Sequence, residues 1–281
     1  MKVIGTETSQ ILASRISDAL KINFVEVKFS RFPDGELYLC ANDLDQEMII
    51  VGSIVNSDSL IQLLLLIDAC GGSCNHLVVP YMGYARQDKR FKPGEPISAR
   101  AIARAISRGI DSCITVNIHD KNVLSYFDIP ANDVSLATDI GNHIVTMGLK
   151  KPLILAPDDG ATTFALQVAT VGKWDCDHLS KTRISGDKVK IAPKSLSAKN
   201  RSIVIVDDII STGGTIATAS AMLKKQGARD VYAICIHGVF TNGAYGLLKA
   251  AGIKEIICSD TIERGCSLYS AASRIADTLT Q

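Results

Sequence analysis

Short runs of β-branched and other apolar residues alternate with Ala- and Leu-rich stretches of helical length along almost the whole chain. That alternation limits the fold sharply, because a strand, a covering helix and a second strand in succession build a parallel sheet with helices on its faces. In the first half the pattern predicts strands at Met48–Ile54, His76–Pro80 and Ser112–Ile118, with helices at Ser57–Ala69 and Ser98–Arg108. In the second half it predicts strands at Pro152–Ala156, Ser202–Val206, Val231–Ile236 and Glu255–Ser259, with helices at Thr162–Ala169, Thr215–Gln226 and Ala244–Ala251. The fold class is therefore α/β, built on mainly parallel sheets flanked by helices.

One unit occurs twice. Gly109 to His119 and Gly227 to His237 share a layout in which an Ala-rich helix ends at glycine, the usual residue of a left-handed cap, and an apolar strand then runs to histidine. Upstream of each helix lies another apolar strand and a loop, long in the first half and short in the second. The 281 residues also suffice for two domains of about 100–200 residues each. We read two tandem copies of one α/β domain, residues 1–140 and 141–281, with the last helix packing back on the first copy.

Lys plus Arg number 30 against 29 Asp plus Glu, so the net charge of +1 gives no field that would draw nucleic acid, and an anionic ligand must be met locally. The mean hydropathy of +0.19 raises the question of a membrane span. The longest candidate, Ile54 to Ile67, is broken by Asn56, Ser57, Asp58, Ser59 and Gln62 and falls short of the roughly 20 apolar residues a span needs. Met1 to Glu7 shows no apolar signal core, so a cytoplasmic protein without membrane or nucleic-acid partners is expected. Eight cysteines occur without a C-x-x-C pair, and Cys113, Cys235 and Cys258 lie in apolar strands. Buried, reduced thiols are expected rather than disulfides or a zinc site.

The sharpest motif joins a strand to a helix. Arg201 to Val206 has the pattern of a buried parallel strand and runs straight into Asp207-Asp208-Ile209-Ile210-Ser211-Thr212-Gly213-Gly214-Thr215. Open α/β sheets bind ligands beyond the carboxyl ends of their strands. Gly213 and Gly214 let backbone N–H groups turn inward, Ser211, Thr212 and Thr215 add hydroxyl donors, and the following helix adds its positive end, which together suit a phosphate. Asp207 and Asp208 would repel phosphate; they suit hydroxyl groups, or a metal through water. Phosphate beside vicinal hydroxyls describes a sugar phosphate. On residue types alone, the carboxylates also serve as helix caps and the glycines as a turn. No Gly-x-x-x-x-Gly-Lys occurs, so a Walker A loop is excluded.

Val204 to Thr215 resembles the phosphoribosyl pyrophosphate motif of type I phosphoribosyltransferases and of ribose-phosphate pyrophosphokinases. The rest of the chain resembles the pyrophosphokinases: Arg31 to Glu36, Tyr84 to Arg90, Pro96 to Ala99, Ile118 to Asp120, Phe127 to Pro130, Pro157 to Ala161 and Lys181 to Arg183 all match, in the right order. The resemblance implies two type I phosphoribosyltransferase-like domains, the first serving ATP and the second ribose 5-phosphate. It implies transfer of the β,γ-diphosphoryl group of Mg-ATP to the 1-hydroxyl of ribose 5-phosphate, giving phosphoribosyl pyrophosphate and AMP.

The resemblance also implies roles. Phe32, Asp34 and Glu36 match an adenine-contacting turn lent by a neighbouring subunit of a homo-oligomer; taken alone, they form a plain Pro-Gly turn. Arg86, Gln87 and Asp88 match the ATP-binding loop, where Arg suits bidentate phosphate contact. His119 and Asp158 match the groups that direct a hydrated Mg²⁺, although a histidine after a strand more often packs or hydrogen-bonds. Lys181 matches the main catalytic cation, with Arg183 beside it and touching ribose 5-phosphate. One residue apart, the two cations point the same way if the segment is extended, and otherwise form an exposed basic loop. Asp207, Asp208, Ser211, Thr212, Gly213, Gly214 and Thr215 match the ribose 5-phosphate site. His76, His143, His178 and His237 gain no such support. Where many relatives carry Asp-His-Gly-Gly, this chain has Asp158-Asp159-Gly160-Ala161.

Two other readings stay in view. A type I phosphoribosyltransferase would need no ATP and leaves the doubled domain and Arg86 to Arg90 without a role. A non-catalytic regulatory relative would be expected to have lost the cation pair or the carboxylates, and all are present.

Overall fold

A computed structural model describes residues 1–185, 188–192 and 198–280, and at 180–185 and 188–192 the description covers the backbone alone. The chain divides into two compact units, residues 1–135 with 260–263 and 270–281, and residues 136–259 with 264–269. The first unit runs through β1 (Lys2–Gly5), α1 (Gln10–Leu20), the hairpin strands β2 (Val27–Arg31) and β3 (Leu37–Ala41), β4 (Glu47–Val51), α2 (Ser57–Ala69), β5 (Cys74–Val79), α3 (Ser98–Ser107), β6 (Ser112–Val116) and β7 (Ala131–Val134). The second comprises α4 (Ala137–Thr146), β8 (Leu153–Ala156), α5 (Thr162–Gly172), β9 (Asp175–His178), the pair β10 (Ser180–Ser185) and β11 (Lys188–Ala192), β12 (Ser202–Ile210), α6 (Gly214–Lys225), β13 (Asp230–Gly238), α7 (Ala244–Ala250), β14 (Ile256–Ser259) and β15 (Ser267–Tyr269). The last helix, α8 (Ala272–Leu279), belongs to the first unit and packs on α1. The expected break between residues 140 and 141 falls inside α4, all of which lies in the second unit.

Each unit is a parallel sheet. The first has the order β1-β4-β5-β6-β7 and the second β15-β14-β13-β12-β8-β9. Helices cover both faces of such sheets, so the central strands read as unbroken apolar runs, and Met48 to Val51 and Ile203 to Val206 are fully buried. Met48, Ile50, Leu63, Leu66, Leu77 and Ile106 lie at the heart of the first core, and Leu155, Ile203, Ile205, Leu223 and Leu248 at that of the second. The repeated layout is visible in the backbone: after α3 and α6 the chain turns through Gly109 and Gly227, at φ 77° and 85°, into β6 and β13. At the start of α2, Asn56 accepts from the Ser59 N–H at 2.8 Å while the Ser59 hydroxyl engages the Asn56 N–H at 3.0 Å, a reciprocal cap that fixes where the helix begins.

The structure corrects one boundary that matters for the site. β12 does not stop at Val206 but runs to Ile210, so Asp207 and Asp208 lie on the strand and not in the loop. The cause is β13, which continues to Gly238 and pairs with Asp207, Ile209 and Ile210, whereas β8 pairs only as far as Ile205. The end of β12 is thus held on one edge and open on the other. Cys113, Cys235 and Cys258 are buried as expected, while Cys74 is exposed. Among the described residues, no helix is long and apolar enough to cross a membrane.

Candidate functional site

The carboxyl end of the second sheet gathers acidic groups. The Asp208 N–H donates to Asp207 Oδ1 at 3.0 Å, and the Ile209 N–H to Asp208 Oδ1 at 2.8 Å, so each carboxylate is fixed by the backbone that follows it. Burial, then the charges of Asp208 and Asp158, hold the Asp207 carboxyl well above the usual range. Asp158 follows β8 and accepts from the Ala161 N–H at 3.4 Å. Asp158, Asp207 and Asp208 therefore share one mouth of the sheet.

Beyond the overhang, the loop is moored to the segment after β13. The Phe240 N–H donates to the Ile210 carbonyl at 3.0 Å and the Thr241 N–H to the Ser211 carbonyl at 3.1 Å, with the Ser211 and Thr241 hydroxyls 3.3 Å apart. Gly213 turns the chain into α6 at φ 72°, and a Cβ there would stand 3.2 Å from Leu248 Cγ, so this position requires glycine twice over. Among the described residues no side chain caps the α6 N-terminus, and its first turn carries no acidic group. Ser211, Thr212, Gly214 and Thr215 remain partly or fully exposed around it, the arrangement an anion requires.

His178 and Asp159 are a pair that sequence reasoning missed. His178 ends β9, in register with Ala156 of β8, and its Nε2 lies 2.9 Å from Asp159 Oδ1. The residues are brought together by the β8-α5-β9 crossover, and only the pairing of those strands signals their proximity. Lys181 and Arg183 fall in β10, whose backbone pairs antiparallel with β11; their side chains lie outside the described residues.

In the first unit, Phe32 to Glu36 form the turn of the β2–β3 hairpin. The Gly35 N–H donates to the Phe32 carbonyl, and the Phe32 N–H to the Glu36 carbonyl, both at 2.9 Å, with Gly35 at φ 95°. The Phe32 ring is half exposed and meets Tyr38 edge-on at 5.6 Å, and Asp34 and Glu36 face solvent. Arg31 lies 2.5 Å from Asp58 Oδ2, while the Tyr84 hydroxyl lies 2.9 Å from Ser57 Oγ, so this turn and the loop carrying residues 86–88 are both tied to the first turn of α2. Arg86 is exposed. Gln87 Oε1 accepts from Ser98 Oγ at 2.8 Å and the Asp88 carbonyl from the Tyr126 hydroxyl at 2.9 Å, which anchor the loop to the start of α3 and to the segment after β6.

His119 is exposed just past β6. The turn that presents it passes through Asn117 at φ 41° and is fixed by Asp133 of β7, whose Oδ1 accepts from the Ile118 N–H and the Thr115 hydroxyl, both at 2.8 Å. Burial pushes the Asp133 carboxyl up despite these bonds. Among the described residues, no three His, Cys, Asp or Glu side chains form a ready-made metal cage. Mg²⁺ ordinarily keeps several waters and binds few protein oxygens, and the Asp158 carboxylate at the Asp207 mouth is a donor that fits it through water.

Comparisons with known proteins identify the family. Residues 1–108 match the family model described as the N-terminal domain of ribose phosphate pyrophosphokinase, and residues 125–273 match the phosphoribosyl transferase domain. A ribose-phosphate pyrophosphokinase of Methanosarcina acetivorans is 48% identical, with 99% of each chain covered, and that of Methanosarcina mazei 47% identical over 100% of this chain and 95% of its own. The crystal structure of phosphoribosylpyrophosphate synthetase from Mycobacterium smegmatis superposes with a TM-score of 0.85 at 25% identity, covering 99% of this chain and 97% of the other. The family models and the near full-length relatives agree, and the chain belongs to the ribose-phosphate pyrophosphokinase family.

Proposed function

We propose that this enzyme transfers the β,γ-diphosphoryl group of Mg-ATP to the 1-hydroxyl of ribose 5-phosphate, with the first unit serving ATP and the second the sugar. The observation that carries the reading is the end of β12, where two carboxylates on a strand overhang lead directly into a hydroxyl- and glycine-rich turn and an uncapped helix N-terminus. The 5-phosphate takes the Ser211, Thr212, Gly213, Gly214 and Thr215 turn, and Asp207 and Asp208 accept from the ribose hydroxyls. Held in this way, the 1-hydroxyl oxygen attacks the β-phosphorus; an O–P bond forms, the hydroxyl proton is lost to water, the bond to the α-phosphate oxygen breaks, and AMP leaves. Such positioning lowers a barrier by about 7–11 kcal/mol in favourable cases.

Lys181 and Arg183 meet the charge that builds on the bridging oxygens, with Arg183 also reaching the sugar phosphate. When bound, Mg²⁺ neutralises the polyphosphate, and His119 and Asp158 are the residues that direct it through water. Arg86, Gln87 and Asp88 take the ATP phosphates and sugar, on a loop that Ser98 and Tyr126 hold in place. Phe32, Asp34 and Glu36 serve the adenine of a neighbouring subunit, stacking on the ring and accepting from its amine, which makes the working form a homo-oligomer. The free thiols support a reducing compartment, and we place the protein in the cytoplasm.

The test uses ATP labelled at the β-phosphorus, with ribose 5-phosphate and Mg²⁺. Label passing to the sugar with equimolar AMP is expected. ADP retaining the label would identify an ordinary kinase and overturn the reading.

A further inference from the structure

Two thiols stand on neighbouring strands of the second sheet, and a third lies just before the next strand. Cys235 on β13 is in register with Cys258 on β14, and Cys258 Sγ lies 3.6 Å from the Sγ of Cys266, the residue before β15. The Cys258 N–H donates to the Cys266 carbonyl at 3.0 Å, so the two backbones are already bound at the place where the sulfurs meet. Both thiols are buried, Cys258 completely and Cys266 at 8% exposure, and Cys266 borders a cavity of about 380 Å³ together with Phe240, Tyr245, Arg264 and Gly265. The environments differ in a second way. The contact between the two sulfurs, either of which can donate, holds the Cys266 thiol below its ordinary range against its own burial, with the Arg264 guanidinium assisting; that contact and burial hold Cys258 above it.

We propose that Cys266 and Cys258 are a peroxide-sensitive dithiol that closes to an intramolecular disulfide, Cys266 attacking from the cavity and Cys258 resolving from behind it. The Cys266 thiolate attacks one oxygen of a hydroperoxide; an S–O bond forms, the O–O bond breaks, and hydroxide or alkoxide leaves. Cys258 sulfur then displaces hydroxide from the sulfenic acid, its proton leaving in the water released. Two thiols are oxidised by two electrons and one peroxide is reduced. The sulfurs lie 3.6 Å apart, so closing the bond draws them together by about 1.5 Å, through both side chains and the segment from Arg264 to Cys266.

The pair is linked to the proposed sugar site by a short path. Arg264, two residues before Cys266, donates through its Nε to the Gly238 carbonyl at 2.9 Å and through an Nη to the Val239 carbonyl at 3.1 Å. The next residues, Phe240 and Thr241, hold Ile210 and Ser211. Drawing Cys266 towards Cys258 shifts the segment that carries Arg264 and loosens this mooring, so oxidation weakens ribose 5-phosphate binding; this last step rests on the reading of residues 211–215 as the phosphate turn.

The reduced full-length protein is treated with hydrogen peroxide, alkylated and analysed by intact mass and peptide mapping. The expected result is loss of two hydrogens, a cross-linked peptide joining Cys258 to Cys266, and reversal by dithiothreitol. Cys258→Ser is expected to leave a sulfenic acid at Cys266 that dimedone traps, and Cys266→Ser to yield no cross-link at Cys258. Both thiols remaining alkylatable after exposed Cys74 has been oxidised would overturn the proposal. Thermal-shift titration with ribose 5-phosphate, before and after oxidation, reads the coupling: unchanged affinity in the cross-linked protein sinks it. Absence of binding even in the reduced form sinks the reading of the phosphate turn, while the mapped disulfide stands on its own.

Discussion

Asp207 is held where its charge is least welcome, between Asp208 and Asp158 and largely out of water. A carboxyl whose folded value is raised favours its protonated form. The contribution of Asp207 to stability is therefore greatest below the ordinary carboxylate range and is lost as pH rises through its folded value. Asp207→Asn removes that loss. Its melting temperature is expected to exceed wild type at neutral pH and to converge with it in acid, each kcal/mol being worth about 2–4 °C in a domain of this size. Equal melting curves at every pH would show that the strain is absent. Under the proposed role, activity is expected to fall in the same variant, because an amide cannot replace a charged acceptor of a ribose hydroxyl. Lys181→Ala should lower turnover by about 10²–10³-fold, as loss of one transition-state donor does elsewhere, with ribose 5-phosphate affinity close to wild type. Near-normal turnover would remove Lys181 from the chemistry. At this scale the turn from Ser211 to Gly213 and the helix that follows it were legible, because those residue types act locally. The sequence was silent about Asp159 with His178, and about Asp133 beneath the turn of His119, because those partners meet only when strands distant in sequence pair.

Among the elements, the central strands were legible and the edges were not. β4, β5, β6, β8, β12, β13 and β14 announce themselves as apolar runs because helices bury both their faces. β1, β7, β9 and β15 went unread, and these are the four outermost strands of the two parallel sheets. A border strand tolerates polar residues such as those of Asp175–His178, which erase the apolar signal. The end of β12 was misjudged for a related reason. A charged pair looks like the end of a strand until its partner, β13, is known to continue beside it. Gly213 is where an element boundary is most sharply set. Gly213→Ala places a Cβ 3.2 Å from Leu248 Cγ at a left-handed φ of 72°. The expected cost is about 1–2 kcal/mol from the backbone conformation alone, measured by denaturant unfolding, together with weaker ribose 5-phosphate binding by titration. A variant with unaltered unfolding would mean the turn relaxes freely.

At the scale of the whole molecule, the proposed sharing of Phe32, Asp34 and Glu36 between subunits makes activity a property of the assembly. Lys181→Ala and Phe32→Ala damage different partners of one shared site, so oligomers reassembled from a mixture of the two should exceed either parent in turnover. Turnover equal to the average of the parents would place the turn in its own chain's site. Inside one chain, the path of the backbone has a consequence of its own. It passes from one unit to the other after residues 135, 259, 263 and 269, so the unit begun by β1 is finished only by α8, whose Ile275 and Ala276 are buried. During synthesis, the N-terminal sheet emerges from the ribosome long before the helix that closes it. The surface of α1 on which α8 packs waits uncovered until that helix appears, so the unit that is started first is completed after the other.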